Sequence, residues 1–102
     1  MRLDFDLPDR ERFPCLALAY EALERGGSVP ATLNAANEEA VAAFVDGRVP
    51  FNAIPDTIRE VMDALPATAL ATLEDVLQAD AQARRASAGV LARRARVAVR
   101  AH

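Results

Sequence analysis

Apolar positions along the chain fall into four helix-period stripes separated by glycine and proline. The first opens at Pro14, a residue suited to a helix's first turn, and stops at Gly26-Gly27. Cys15, Leu16, Ala19, Ala22 and Leu23 share one face of it. The second lies within Pro30 to Asp46 and is closed by Gly47, with Leu33, Ala36, Ala40, Val41 and Phe44 as its expected buried stripe. The third spans about residues 53 to 65, where Ile54, Ile58, Val61, Met62 and Leu65 recur at helical spacing before Pro66. The fourth begins after Thr72, whose hydroxyl is placed to cap the Asp75 amide while Asp75 reaches back. Leu73, Val76, Leu77, Ala81, Ala88, Leu91 and Ala95 then keep one face, so this helix runs past residue 95. Ahead of all four, Leu3, Phe5 and Leu7 alternate with polar positions until Pro8, which predicts an extended linker over residues 1–12.

No amphipathic helix buries its stripe alone, so the expected fold is all-α: a compact four-helix bundle-like domain over residues 13–102, preceded by the linker. The 102 residues suit one core, and an alanine-rich composition with 52% hydrophobic but only 5% aromatic residues favours closely packed helices over a sheet. The single cysteine, Cys15, forms no internal disulfide, and its apolar neighbours Phe13, Leu16 and Ala19 predict a buried thiol. No basic segment followed by an apolar stretch opens the chain, so a cytoplasmic setting is expected. No apolar run approaches the roughly 18 residues that span a bilayer, and no membrane partner is expected.

Charge is divided unevenly. Residues 1–80 hold fifteen acids and six arginines, whereas residues 81–102 hold six arginines and no acid. Without an aromatic residue to stack on bases, the basic end reads as a helix complementing its own dipole and an acidic neighbour, and nucleic acid is not expected as a partner. Arg85, Arg93, Arg96 and Arg100 cluster on one side of the fourth helix as a solvated face.

Five polar residues stand out as structural candidates. Asn37 falls within about 40° of Leu33 on the helical wheel, which predicts a buried amide bonded to main chain outside its helix. Asn34 and Glu38, four apart, flank it beside Val41. Asp80 and Arg84 form an i,i+4 pair among Leu73, Leu77 and Leu91, expected to anchor a chain crossing by contact with each other or with the segment before the first helix. No nucleophile, histidine or second carboxylate stands beside them at ligand or catalytic spacing, so no catalytic, cofactor-binding or metal residue is assigned. His102, alone at the terminus, supports no metal site.

Three stretches carry a resemblance: Leu33-Asn-Ala-Ala-Asn-Glu-Glu-Ala-Val-Ala-Ala-Phe44, Phe13-Pro14-Cys15-Leu16 and Asp80-Ala81-Gln82-Ala83-Arg84. In this order and spacing, residues 2–87 resemble the C-terminal helical domain of 1-deoxy-D-xylulose 5-phosphate reductoisomerases, enzymes of the non-mevalonate isoprenoid pathway. The resemblance implies a parent enzyme that uses NADPH and Mg²⁺, Mn²⁺ or Co²⁺ to rearrange and reduce 1-deoxy-D-xylulose 5-phosphate to 2-C-methyl-D-erythritol 4-phosphate. It also implies nucleotide-binding and catalytic domains as partners, and a parent homodimer. The Asp-Ser-Glu metal cluster and the glycine-rich loops of that family are missing: glycines at 26, 27, 47 and 89 make no phosphate cradle. The chain is therefore expected to be a fragment with an added Met1, architectural and inactive alone. The alternative is a free-standing helical interaction module derived from that domain, binding another protein through the arginine face. Beyond Ser87 the tail extends past the expected pattern.

Overall fold

The structure, a computed structural model, describes residues 12–101, with side chains through Ala95. Four helices follow in order: α1 (Pro14–Arg25), α2 (Val29–Val45), α3 (Ala53–Ala64) and α4 (Leu73–Ala101). No strand occurs among the described residues. Of the expected linker only Arg12 is described, in a turn; residues 1–11 lie outside the described residues.

Five of the helix ends have a plain local cause. Pro14 occupies the first turn of α1, where its missing N–H costs nothing, and Gly26 ends the helix at φ 71°. At the end of α2 the Arg48 N–H bonds the Ala43 carbonyl and the Gly47 N–H bonds that of Phe44; with Gly47 at φ 77° this is a Schellman closure. α3 stops because Leu65 precedes Pro66 and is forced extended, at φ −108° and ψ 120°. α4 starts with the expected reciprocal cap: the Asp75 amide donates to Thr72 Oγ1 at 3.1 Å, and Asp75 Oδ2 accepts from the amides of Thr72 and Ala71. Those donors hold the Asp75 carboxyl below its usual range, the Ala71 amide contributing most.

α2 is central and packs on the other three helices, most extensively on α4 and α3. The core joins Leu18 and Ala22 of α1, Val29, Ala36, Ala40 and Ala43 of α2, Val49, Ile54, Ile58, Val61 and Met62 from the α3 region, and Leu91 of α4. The third stripe is as expected, with Leu65 partly buried against it. The other three are rotated. Cys15, Leu16 and Leu23 of α1 are exposed while Leu18 is buried. Val41 and Phe44 of α2 are exposed, and Ala35 and Ala43 take their place. Leu73, Val76 and Leu77 of α4 are exposed, whereas Ala79, Ala83, Ser87 and Leu91 face inward. Small side chains let helix backbones approach closely, and the buried Ser87 satisfies its hydroxyl by donating to the Ala83 carbonyl at 2.6 Å.

A clip joins the α1–α2 turn to the α3–α4 loop. Ser28 Oγ, buried, accepts the Thr68 amide at 2.9 Å, and Gly27 lies flat against the Thr68 carbonyl.

Candidate functional site

Four of the five polar candidates meet in one cluster between α2 and α4. Arg84 spreads its guanidinium over three carboxylates: Nε donates to Asp80 Oδ2 at 2.9 Å, Nη1 to Glu39 Oε2 at 3.0 Å and Nη2 to Glu38 Oε1 at 3.2 Å. Asn34 Nδ2 donates to the other Glu38 oxygen at 3.0 Å, an i,i+4 contact along α2. The planar fork of arginine suits this, since its five N–H groups diverge at fixed angles while an ammonium would serve as a single point. The Asp80 hydrogen bond, then those of Glu38 and Glu39, raise the Arg84 pKa above its ordinary value, so the residue is a permanent cation. A permanently charged arginine donates no proton, and the carboxylates around it are already engaged. The arrangement can tie α2 to α4; it is poorly suited to acid–base chemistry.

Glu39 was not among the sequence candidates. Its signal was the Glu38-Glu39 pair, two adjacent acids that a single arginine fork can bridge, but the sequence does not say which arginine comes near. Asn37 departs from expectation. It is only partly buried, and its side chain makes no hydrogen bond to a described residue, because the inward face of α2 centres on Ala35, Ala36, Ala40 and Ala43 and leaves Asn37 at the margin. Asp80 and Arg84 do contact each other; of the segment over residues 2–14, the alternative partner expected for them, residues 2–11 lie outside the described residues.

Two further arginine networks were not read from the sequence. Arg59 on α3 grips Glu21 on α1 through two bonds of 2.7 Å and reaches Asp63 at 3.2 Å; the Glu21 bonds lead in raising its pKa. Beside it Arg25 donates to the Met62 carbonyl at 3.2 Å. Arg93 and Arg94 of α4 pair with Glu60, and Arg94 also with Asp56, both on α3. The arginine face expected to be solvated is thus partly spent inside the domain. Arg85 is exposed, and the side chains of Arg96 and Arg100 lie outside those described.

At the start of α1 and α3 the surface opens into a groove of about 440 Å³ lined by Arg12, Phe13, Cys15, Leu16, Phe51 and Ile54 with Pro14, Asn52 and Pro55. Phe51 also meets Phe44 edge to face, the ring centroids 5.4 Å apart. Cys15, expected to be buried, is exposed on this wall, and partial desolvation raises its thiol pKa. Among the described residues no three His, Cys, Asp or Glu side chains are grouped to hold a metal ion, and no helix is long and apolar enough to cross a membrane.

The geometry agrees with what the chain is similar to. The reductoisomerase of Pseudomonas syringae pv. syringae is 60% identical over 83 residues, which are 81% of this chain and 21% of that protein. That of Pseudomonas fluorescens is 55% identical over 95 residues, 93% of this chain and 24% of that protein, so similarity continues past Ser87. Among solved structures, the 1-deoxy-D-xylulose 5-phosphate reductoisomerase of Zymomonas mobilis in complex with NADPH superposes with a TM-score of 0.78 at 42% identity, over 88% of this chain and 24% of that one. The chain thus spans a fifth to a quarter of the length of these relatives. A family model described as the DXP reductoisomerase C-terminal domain matches residues 1–86, and with the relatives and the shared helical fold it shows that the chain belongs to that family.

Proposed function

We propose that this chain acts as the supporting C-terminal helical domain of an NADPH- and divalent-metal-dependent 1-deoxy-D-xylulose 5-phosphate reductoisomerase of the non-mevalonate isoprenoid pathway, and that it is inactive alone. The observation that carries the reading is a family fold whose polar clusters are committed to holding helices together. Arg84, Arg59 and the Arg93–Arg94 pair each join two helices through carboxylates. These residues do not fit a dinucleotide or a Mg²⁺, Mn²⁺ or Co²⁺ ion: no glycine-rich turn aims amides at a phosphate, and no described group of three ligands converges. In the parent those groups belong to the nucleotide-binding and catalytic domains, with this domain bracing the closed, water-poor site and the parent working as a homodimer in the cytoplasm.

The test is a chimera in which this chain replaces the segment it matches in the Zymomonas mobilis enzyme. Substrate-dependent NADPH oxidation by the chimera, with none by the 102-residue chain and no calorimetric NADPH binding to it, is the expected result. Turnover or saturable NADPH binding by the chain alone would show it to be an active module.

A further inference from the structure

Four helices account for the core, yet one aromatic face remains uncovered. Phe51 is 70% exposed, Leu16 49% and Phe13 48%, and all three line the groove floored by the buried Ile54. Phe44, in edge contact with Phe51, extends the same surface. Single exposed apolar residues are ordinary, but contiguous aromatic and aliphatic side chains around a concave surface mark a site of association. Leu16 and Cys15 also belong to the apolar stripe of α1 read from the sequence, and no described helix covers that face.

The geometry points to one occupant: an apolar element of the preceding domain of the parent enzyme, seated between Phe13 and Leu16 on one wall and Phe51 on the other. This rests on the reading above and deepens it by naming the surface. The relatives carry three quarters or more of their length outside the matched segment, and the family description puts that segment at the C-terminal end. Their remaining chain therefore joins ahead of residue 1 and reaches this domain through residues 1–11, which lead directly to Arg12, itself part of the groove wall. An occupant tethered through these eleven residues stays close to the groove, and a tether that short supplies an effective concentration of about millimolar, enough for a modest apolar contact to stay closed. The walls are set in advance, since Pro14 and Pro55 stand in the first turns of α1 and α3 and Ile54 is locked in the core. Aromatic side chains that lose little freedom on contact make effective anchors.

Cys15 reports on the groove from inside it. Maleimide labelling at pH 8.5, followed by mass spectrometry of the peptide carrying Cys15, is compared between the 102-residue chain and the Zymomonas chimera. Labelling at least tenfold slower in the chimera is expected. Phe51→Asp in the chimera should restore the rate of the isolated chain, as should Leu16→Asp on the opposite wall; both positions are solvent-facing in the isolated chain, whose helical circular dichroism each variant should preserve. An active chimera with Cys15 as reactive as in the isolated chain would overturn this surface and leave the supporting role standing. A protected Cys15 in an inactive chimera would do the reverse. Protection that grows with concentration of the chain alone would assign the groove to a second copy and refute the proposal.

Discussion

Gly27→Ala is the sharpest perturbation the fold offers. Gly27 sits at φ +56°, and a Cβ there would lie 2.6 Å from the Thr68 carbonyl oxygen and 3.3 Å from its carbon. A left-handed backbone costs a non-glycine residue about 1–2 kcal/mol. The obstacle is main chain and cannot rotate aside, so the loop at Thr68 must retreat, and its amide, 2.9 Å from Ser28 Oγ, goes with it. Loss of that hydrogen bond adds about 1 kcal/mol, for a total near 2–3 kcal/mol. Gly47→Ala is the matched control: at φ +77°, with nothing within 4 Å of its Cβ, it carries only the conformational cost of about 1–2 kcal/mol. Urea unfolding followed by circular dichroism measures both, and with a slope of about 1–2 kcal/mol per molar the Gly27 variant should lose about 1–3 M in midpoint. The informative quantity is the difference between the two variants, expected at about 1 kcal/mol or more. If they unfold together, the Thr68 loop yields freely and the clip between the turns contributes nothing.

Other outcomes follow from the same structure. Gly89→Ala, mid-helix in α4 with open space around its Cβ, should raise stability by about 0.5–1 kcal/mol in the same urea assay. Thr57→Val should be neutral or stabilising by about 1 kcal/mol, because Oγ1 is buried without a hydrogen-bond partner among the described residues; a loss beyond 1 kcal/mol would reveal a partner. Arg59→Ala should cost about 1 kcal/mol, less in high salt, since its bonds to Glu21 are bidentate but half-exposed. Asp75 has a depressed folded pKa, so its contribution is present above the ordinary aspartate pKa and is lost as pH falls through the folded value; Asp75→Asn should flatten the fall of thermal stability with acid below the ordinary aspartate pKa, and an unchanged slope would discount the cap.

How much of this was legible in the sequence depends on what each helix faces. The starts of α1, α2 and α4 and the ends of α1, α2 and α3 were marked by proline, glycine or the Thr72–Asp75 cap, because these act locally; the start of α3 and the end of α4 carried no such mark. The buried face of α3 was equally plain: Ile54, Ile58, Val61 and Met62 point one way and all are buried. α2 misled because it lies in the middle, buried over a broad arc on which Ala35, Ala36, Ala40 and Ala43 matter more than Val41 or Phe44. In the polar cluster the i,i+4 contacts Asn34–Glu38 and Asp80–Arg84 were readable, while the bonds from Arg84 to Glu38 and Glu39 were not, since a single sequence does not say which helices touch.

α4 makes the physical reason most explicit. It carries two stripes: large residues at Leu73, Val76 and Leu77, and small ones at Ala79, Ala83 and Ser87. Hydrophobic periodicity favours the large side chains, but within this chain the small stripe is buried, and Leu73 and Leu77 stay 74% and 60% exposed. Close approach of helix backbones selects small residues for the internal contact. The α1 residues Leu16 and Leu23 repeat the pattern around the buried Leu18. Periodicity therefore weighed side-chain size and not the closeness of helix backbones, and subtracting the faces buried inside the domain leaves large apolar side chains exposed among the described residues. That remainder includes the wall of Leu16, the surface proposed above to seat an element of a preceding domain.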